Sequence, residues 1–494
     1  MGARLRSARP RPYFGPSETP APSGPRLLLI TRAFPPANSI GALRWQKLSA
    51  YVAERGWGLD VVTVDPPCLP FTDPSRLADL PAGTRAYGVR TTVPWLERVT
   101  RAVWKAYRRF RPRPEQRTER ADAIAPNPRT ETSESLSRVE LQWTWRDPRE
   151  FIRAYFAWLE YVRIGSWARD AAALALRVIE PGVHEAVISS GPPHMAHEAG
   201  RLVSRTAGLP FVMDMRDPWS VAPHLPEDVA SPVWYRLADR YERRAVSRAA
   251  LVVANTEPLR LAMCDRYPEA RDRLITVMNG CDADPLPPSR HGKRFIIAYA
   301  GGIYIGRDPR PLFRAAAQVI GELALEPTDF GIEFLGHVEH YGSTLVRDIA
   351  REEGVERFVT LEPPRPRTTA LEFLARATML VSLPQDGDMQ LPAKIFEYLR
   401  FDAWVLALAT DDSATGLLLR GSGADVVAPD DVSGVAAVLR DRFVQYRSGI
   451  RPRRIASDSR FSRRAQAERL LDAIEACTGG TRTAAPALRS RRQA

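Results

Sequence analysis

Residues 26–64 read RLLLITRAFPPANSIGALRWQKLSAYVAERGWGLDVVTV, and the fold class follows from this stretch. Arg26–Ile30 is a short, almost wholly apolar run, the pattern of a strand buried on both faces. From Ala42 onward Leu43, Leu48, Tyr51 and Val52 recur at helical spacing, and Gly56 supplies a stop. Leu59–Val64 is strand-like again. A strand, a helix of about four turns and a second strand form a βαβ unit, whose two strands lie parallel.

The alternation extends outward. Helical spacing over Arg149–Ile179 leads to strand-like AVISS, a helix ending at Thr206, and strand-like FVMDM. A helix over 231–248, LVVANT, a helix over 257–266 and ITVMN complete the first half. Asn279-Gly280 marks a turn, and PLPPSRHG (285–292) reads as a linker. The second half restarts at FIIAYAGG and places helices at 309–323, 342–353, 368–376 and 392–400 between GIEFLG, FVTLEP, MLVSLP and AWVLALA. DVVAP is the last strand. The expectation is an α/β chain of two tandem doubly wound Rossmann-like domains facing a cleft, over 26–284 and 285–462, with a final helix at 463–477. Residues 66–146, rich in Pro, Arg and Thr, read as an insertion in the first domain; 1–25 and 478–494 read as disordered basic tails. Ligands of such sheets bind beyond the carboxyl ends of strands, where strand order reverses.

Composition narrows the function. At 494 residues, 44% apolar and 26% charged, the chain matches a soluble multi-domain protein. Its longest apolar stretch, Phe295–Gly306, is shorter than the roughly 18 residues of a spanning helix. The N-terminus has no apolar h-region of a signal peptide, and four scattered cysteines fit a reducing compartment, so a cytoplasmic location is expected. Residues 1–26, 101–120 and 478–494 carry +4, +6 and +4, leaving about −2 of the total +12 for everything else. The basic charge thus belongs to tails and an insertion, and no nucleic-acid partner is expected. In 101–120, Trp104, Tyr107 and Phe110 are spaced three apart among arginines, which suits an anionic membrane surface.

Five loops carry the candidate chemistry. Phe34–Gly41 joins a strand to a helix start, a place suited to phosphate or sugar hydroxyls, or simply a connection capped by Ser39. Ser189–His194 puts hydroxyls and a histidine at a strand end, for substrate or for the surface. In Asp214–Trp219 the carboxylates can orient a hydroxyl or make structural pairs with arginine. Gly301-Gly302 lets backbone approach a phosphate, with Arg307 to charge it. Lys394 and Glu397 stand three apart on one helix, as ligand contacts or as a surface ion pair.

Six patterns now occur in order: F-P-P…G-x-x-R (Phe34–Arg44), S-x-P-P (Ser190–Pro193), D-x-R-D-P-W (Asp214–Trp219), N-G-x-D (Asn279–Asp282), G-x-x-x-x-G-R (Gly301–Arg307) and L-P-A-K-I-F-E-Y (Leu391–Tyr398). Together they resemble the retaining glycosyltransferases of family 4, of GT-B fold, especially those making bacterial surface polysaccharides. Two positions depart from that family. Met389 stands eight before Glu397, where a glutamate is usual; Leu312 stands five after Arg307, where a lysine is usual, with Lys394 or Arg310 as candidate replacements.

The resemblance implies transfer of a sugar from a nucleotide-sugar to an acceptor hydroxyl in polysaccharide or glycolipid synthesis. Catalytic roles then fall to Arg307, Lys394, Asp214 and His194. Donor binding falls to Gly301, Gly302, Arg307, Leu391, Lys394 and Glu397, the last on the ribose. Acceptor binding falls to Gly41, Arg44, Ser190, His194 and Arg216. No metal or other cofactor is implied; a lipid-linked glycan acceptor and a peripheral place on the inner face of the plasma membrane are. The competing readings are a GT-B nucleotide-sugar epimerase or inactive accessory subunit and, more remotely, a nucleic-acid-binding protein.

Overall fold

The computed structural model describes residues 10–16, 24–91, 98–100, 135–137, 148–222, 224–226, 229–282, 284–304, 306–384, 387–456 and 459–479. The first half runs β1 (Arg26–Thr31), α1 (Ile40–Glu54), β2 (Gly58–Val64), β3 (Thr84–Val89), β4 (Ser135–Ser137), α2 (Pro148–Val178), β5 (His184–Gly191), α3 (Met195–Ala207), β6 (Phe211–Met215), β7 (His224–Pro226), α4 (Pro232–Arg248), β8 (Leu251–Ala254), α5 (Glu257–Arg266) and β9 (Leu274–Thr276). Parallel pairing orders seven of these strands as β3-β2-β1-β5-β6-β8-β9, while β4 and β7 form a separate antiparallel ribbon.

The second half runs β10 (Phe295–Ala300), α6 (Arg310–Glu322), β11 (Phe330–Leu335), the ribbon β12 (His340–Tyr341) and β13 (Thr344–Leu345), α7 (Val346–Glu352), β14 (Val359–Glu362), α8 (Arg367–Ala375), β15 (Met379–Ser382), α9 (Ala393–Tyr398), β16 (Trp404–Leu408), α10 (Ala414–Leu419), β17 (Asp425–Val427), α11 (Val432–Arg447) and α12 (Arg463–Thr478). Its parallel sheet has the order β14-β11-β10-β15-β16-β17.

Period-2 alternation explains why each sheet is covered on both faces. In β1, Leu28 and Ile30 join the core under α2, α3 and α4, with Trp167, Ala199 and Ala238. Leu27 and Leu29 face the other way, toward Trp45 and Leu48 of α1 and Leu470 and Ile474 of α12. The last helix of the chain therefore returns to the first domain, and burial of each such Leu or Ile contributes about 1.5–3 kcal/mol. In β10, Phe295, Ile297 and Tyr299 pack with α6 and α11, and Ala298 packs toward α8 and α9.

Strand order reverses between β1 and β5 in one sheet and between β10 and β15 in the other. The carboxyl ends of these four strands and the segments that follow them hold Gly41, Ser190–His194, Gly301–Arg307 and Leu391–Lys394. The topology thus brings together residues that lie up to hundreds of positions apart.

The expected insertion at 66–146 needs correction. Residues 84–89 form β3, an edge strand paired residue by residue with β2. Arg85 and Gly88 interrupt its apolar pattern, yet Arg85 is held there by two hydrogen bonds of 2.6 Å to buried Asp60. A charge neutralised inside the sheet hides a strand from periodicity. Further elements that were not expected include the ribbon of β4 and β7, α10, α11 packed on the C-terminal core, and the short ribbon at 340–345. Residues 101–120 lie outside the described residues.

Candidate functional site

The carboxyl end of β10 is built as a cradle. Gly301 has φ 142°, a region that L side chains rarely adopt, and a Cβ there would stand 2.6 Å from Lys394 Nζ. Gly336, at the end of β11, has φ 131°; its Cβ would overlap the Gly301 carbonyl oxygen. The two glycines let the strand ends close on each other and leave room for the lysine. Tyr398 pins the same edge from α9: its hydroxyl accepts from the Ala300 N–H at 2.9 Å and donates to the Ala300 carbonyl at 3.3 Å.

Lys394 lies under this edge, its ammonium 3.6 Å from the centre of the Tyr299 ring. The nitrogen is buried and has no hydrogen-bond partner among the described residues. Burial, and then the nearby Arg307 charge, push its pKa well below the ordinary lysine value. Arg307, 8% exposed, donates to the Gly302 carbonyl at 3.1 Å and to Tyr299 Oη at 3.4 Å, and stacks 3.8 Å from the centre of the half-exposed Tyr304 ring. Of the two candidate replacements for the missing lysine, Arg310 is engaged with Asp308, and Lys394 stands with Arg307. Leu312 is core.

A buried ammonium such as that of Lys394 is costly to hold charged unless an anion joins it. A phosphate is complementary to the chemistry of such a glycine edge. Gly302 presents its backbone beside it, whereas the Leu391 side chain belongs to the C-terminal core, so only its backbone is available to a ligand. Glu397 makes no pair with Lys394; its carboxylate accepts from Arg367 at 2.7 Å instead.

Across the cleft the expected acceptor residues divide. Asp214 is fully buried, and its oxygens accept from Arg44 Nη2 at 2.9 Å, Arg44 Nε at 3.2 Å, Trp45 Nε1 at 2.9 Å and Ser190 Oγ at 2.8 Å. Burial alone would raise its pKa, but the Arg44 charge and these donors hold it below the ordinary range. Arg44 also reaches Asn255, Asn279 and the Val277 carbonyl. The structure places Asp214, Arg44 and Ser190, expected in catalysis and acceptor binding, in a buried strut between α1, β5 and β6, hydrogen-bonded to one another.

Arg216 ties three loops, donating to the carbonyls of Gly191 at 3.1 Å, Gly41 at 2.8 Å and Pro192. A Cβ on Gly41 would meet that guanidinium at 2.6 Å, so Gly41 permits the tie. Both residues shape the edge of the cleft instead of presenting free groups to it. His194, half-buried, stacks on Trp219 with centroids 5.1 Å apart. Behind it His197 bonds Ser189 at 2.8 Å, with its pKa lowered to about 3 by burial and then by Arg216.

Sequence reasoning missed Tyr299, Tyr398 and Trp45. The first two lie within or beside quoted motifs, but nothing local reveals that their hydroxyls face the strand end. Among the described residues no group of three or more His, Cys, Asp or Glu is placed to hold a metal.

No family model and no curated protein matches the chain. Solved structures do. The apo lipopolysaccharide outer core galactosyltransferase WaaB shares 10% identity at TM-score 0.52, covering 91% of this chain and 99% of its own. Anabaena HepE in complex with UDP-glucose shares 12% at 0.52, covering 91% and 99%. TarM shares 10% at 0.56, covering 92% and 99%. At such identities the likeness speaks for architecture, and the chain has the GT-B fold that these glycosyltransferases share.

Proposed function

We propose that the protein is a retaining glycosyltransferase that moves a hexosyl or related sugar from a nucleoside diphosphate donor to an acceptor hydroxyl. The observation that carries this is the buried Lys394 ammonium, without a hydrogen-bond partner among the described residues, beside Arg307 on the Gly301–Gly302 edge. Breaking the bond between the anomeric carbon and the β-phosphate oxygen leaves negative charge on the departing diphosphate. Preorganised cations in a water-poor site stabilise such charge strongly. Arg307 and Lys394 supply it without a bound metal, the Gly302 and Leu391 backbone adds dipoles, and Glu397 takes the ribose hydroxyls. His194, on the facing edge, meets the acceptor or the transferred sugar. Retention at the anomeric carbon is supported by the resemblance to family 4, and a nucleotide-sugar donor by the HepE complex.

The acceptor is proposed to be a lipid-linked glycan in surface polysaccharide or glycolipid synthesis, with the protein peripheral on the cytoplasmic face of the membrane. No described helix is long and apolar enough to cross a membrane. Support for surface contact comes from Phe151, Ile152 and Trp158, at least 40% exposed along α2, and from the +6 segment at 101–120. A thermal-shift screen with UDP-, GDP- and ADP-sugars tests the donor site; a ligand at 100 times its dissociation constant adds about 2.7 kcal/mol. Donor turnover without any acceptor favours the epimerase. No stabilisation by any nucleotide or nucleotide-sugar at millimolar concentration removes the reading.

A further inference from the structure

The loop from Gly387 to Pro392 leads from the end of β15 into α9 and so sets where Lys394 enters the cradle. It is held from the other domain. Thr256 Oγ1 donates to the Met389 carbonyl at 2.7 Å, across 133 positions of sequence. The Met389 side chain, in turn, packs against the core of the N-terminal domain that contains Trp219, Met215 and Leu259. Thr256 is 2% exposed and also caps α5, its hydroxyl accepting from the Leu259 N–H at 3.3 Å. One buried hydroxyl therefore fixes the start of a helix in one domain and a loop carbonyl in the other. On the C-terminal side the loop is fastened by the Ala414 N–H, which donates to the Asp388 carbonyl at 2.6 Å.

We propose that Thr256 is a positioning residue for the donor site: with Met389 it latches the 387–392 loop to the N-terminal domain, and so couples domain closure to diphosphate binding at Lys394. The proposal rests on the diphosphate reading of the cradle. Its physical content is that the latch joins two separately folded cores, so losing it costs neither core its packing and is felt only as an easier opening of the cleft. A thioether at position 389 suits that seat because it buries against an apolar surface, where a carboxylate would be stranded without a partner. The latch thus also accounts for the departure of Met389 from the family pattern.

The test uses the full chain as wild type, Thr256→Asp, Thr256→Ser and Met389→Asp. Asp and Ser are both good helix N-caps, so α5 keeps its cap, but only Asp cannot donate to a carbonyl. Met389→Asp attacks the apolar half from an interdomain loop and leaves the α5 cap alone. Small-angle scattering of the ligand-free chain reads domain separation, and calorimetry with UDP, GDP and ADP reads the cradle. Both Asp variants are expected to stay folded and to show a larger radius of gyration, because opening the cleft returns the carboxylate to water. They are expected to bind the preferred diphosphate about three- to tenfold more weakly, the range of one ordinary hydrogen bond, and Thr256→Ser restores wild-type values. A wild-type radius of gyration and affinity in Thr256→Asp overturns the latch. If no diphosphate binds even the wild type, the diphosphate reading of the cradle falls, while the scattering comparison still decides whether Thr256 holds the domains together.

Discussion

Lys394→Met is expected to make the protein more stable and functionally empty. A buried donor without a partner costs about 1–3 kcal/mol, and more when charged. The Tyr299 ring 3.6 Å away returns part of this, about 0.5–2 kcal/mol for a cation over an aromatic face. Methionine has nearly the same length and no charge, so it keeps the packing and removes the burden. The expected gain is about 1–2 kcal/mol, or roughly 2–8 °C in melting temperature for a domain of this size. The pH dependence follows from the direction of the pKa shift. The folded lysine releases its proton well below its ordinary value near 10.5. Between the depressed value and 10.5 the unfolded chain holds one proton more, so stability rises with pH there, by up to about 1.4 kcal/mol per pH unit. Below the depressed value both states are protonated and the slope vanishes. Thermal unfolding of both proteins from pH 6 to 10, with and without UDP, GDP and ADP, measures all of this. The variant should melt higher without ligand, lose the pH slope and gain nothing from a diphosphate. A variant no more stable than wild type that binds diphosphate equally well would refute the reasoning.

Arg307→Ala should leave the fold intact and lower sugar transfer by on the order of 10²-fold or more, as loss of one preorganised donor does; steady-state turnover of the soluble variant checks this. Glu397→Gln should weaken nucleotide-sugar affinity, since the uncharged amide is a poorer partner for ribose hydroxyls, and calorimetry compares it with wild type; the exposed pair with Arg367 contributes only about 0–1 kcal/mol, so stability should barely move. Asp214→Asn should act on stability instead, costing about 3–5 kcal/mol because Arg44 is left buried against an amide. Chemical denaturation measures it, and a fully stable but inactive Asp214→Asn protein would return Asp214 to the chemistry.

The fold was legible in the sequence because its signals are local. Apolar runs of strand length at Arg26–Ile30 and Phe295–Ala300, helical spacing between them and turn residues at their ends are all set within about twenty positions. The same reading placed Gly301, Gly302 and Arg307 after a strand, where a switch-point loop would use them. β3 escaped because its charged Arg85 is neutralised by Asp60, a residue of the neighbouring strand that no window around 84–89 contains.

The distinction between site and strut was not local. Asp214 and Lys394 are both charged residues near the carboxyl ends of strands, and in sequence both suit chemistry. Folding brought Arg44, 170 positions away, onto the carboxylate together with Trp45 and Ser190, and its charge was spent inside the protein. Among the described residues, folding brought the Tyr299 ring, a glycine edge and another cation to the ammonium, and no hydrogen-bond partner. By itself the sequence determined two doubly wound domains and which loops line their switch points, because periodicity and turn chemistry act between neighbours. Only the tertiary structure decided which of the charges in those loops remain for a ligand, because desolvation and pairing depend on residues that meet across the fold.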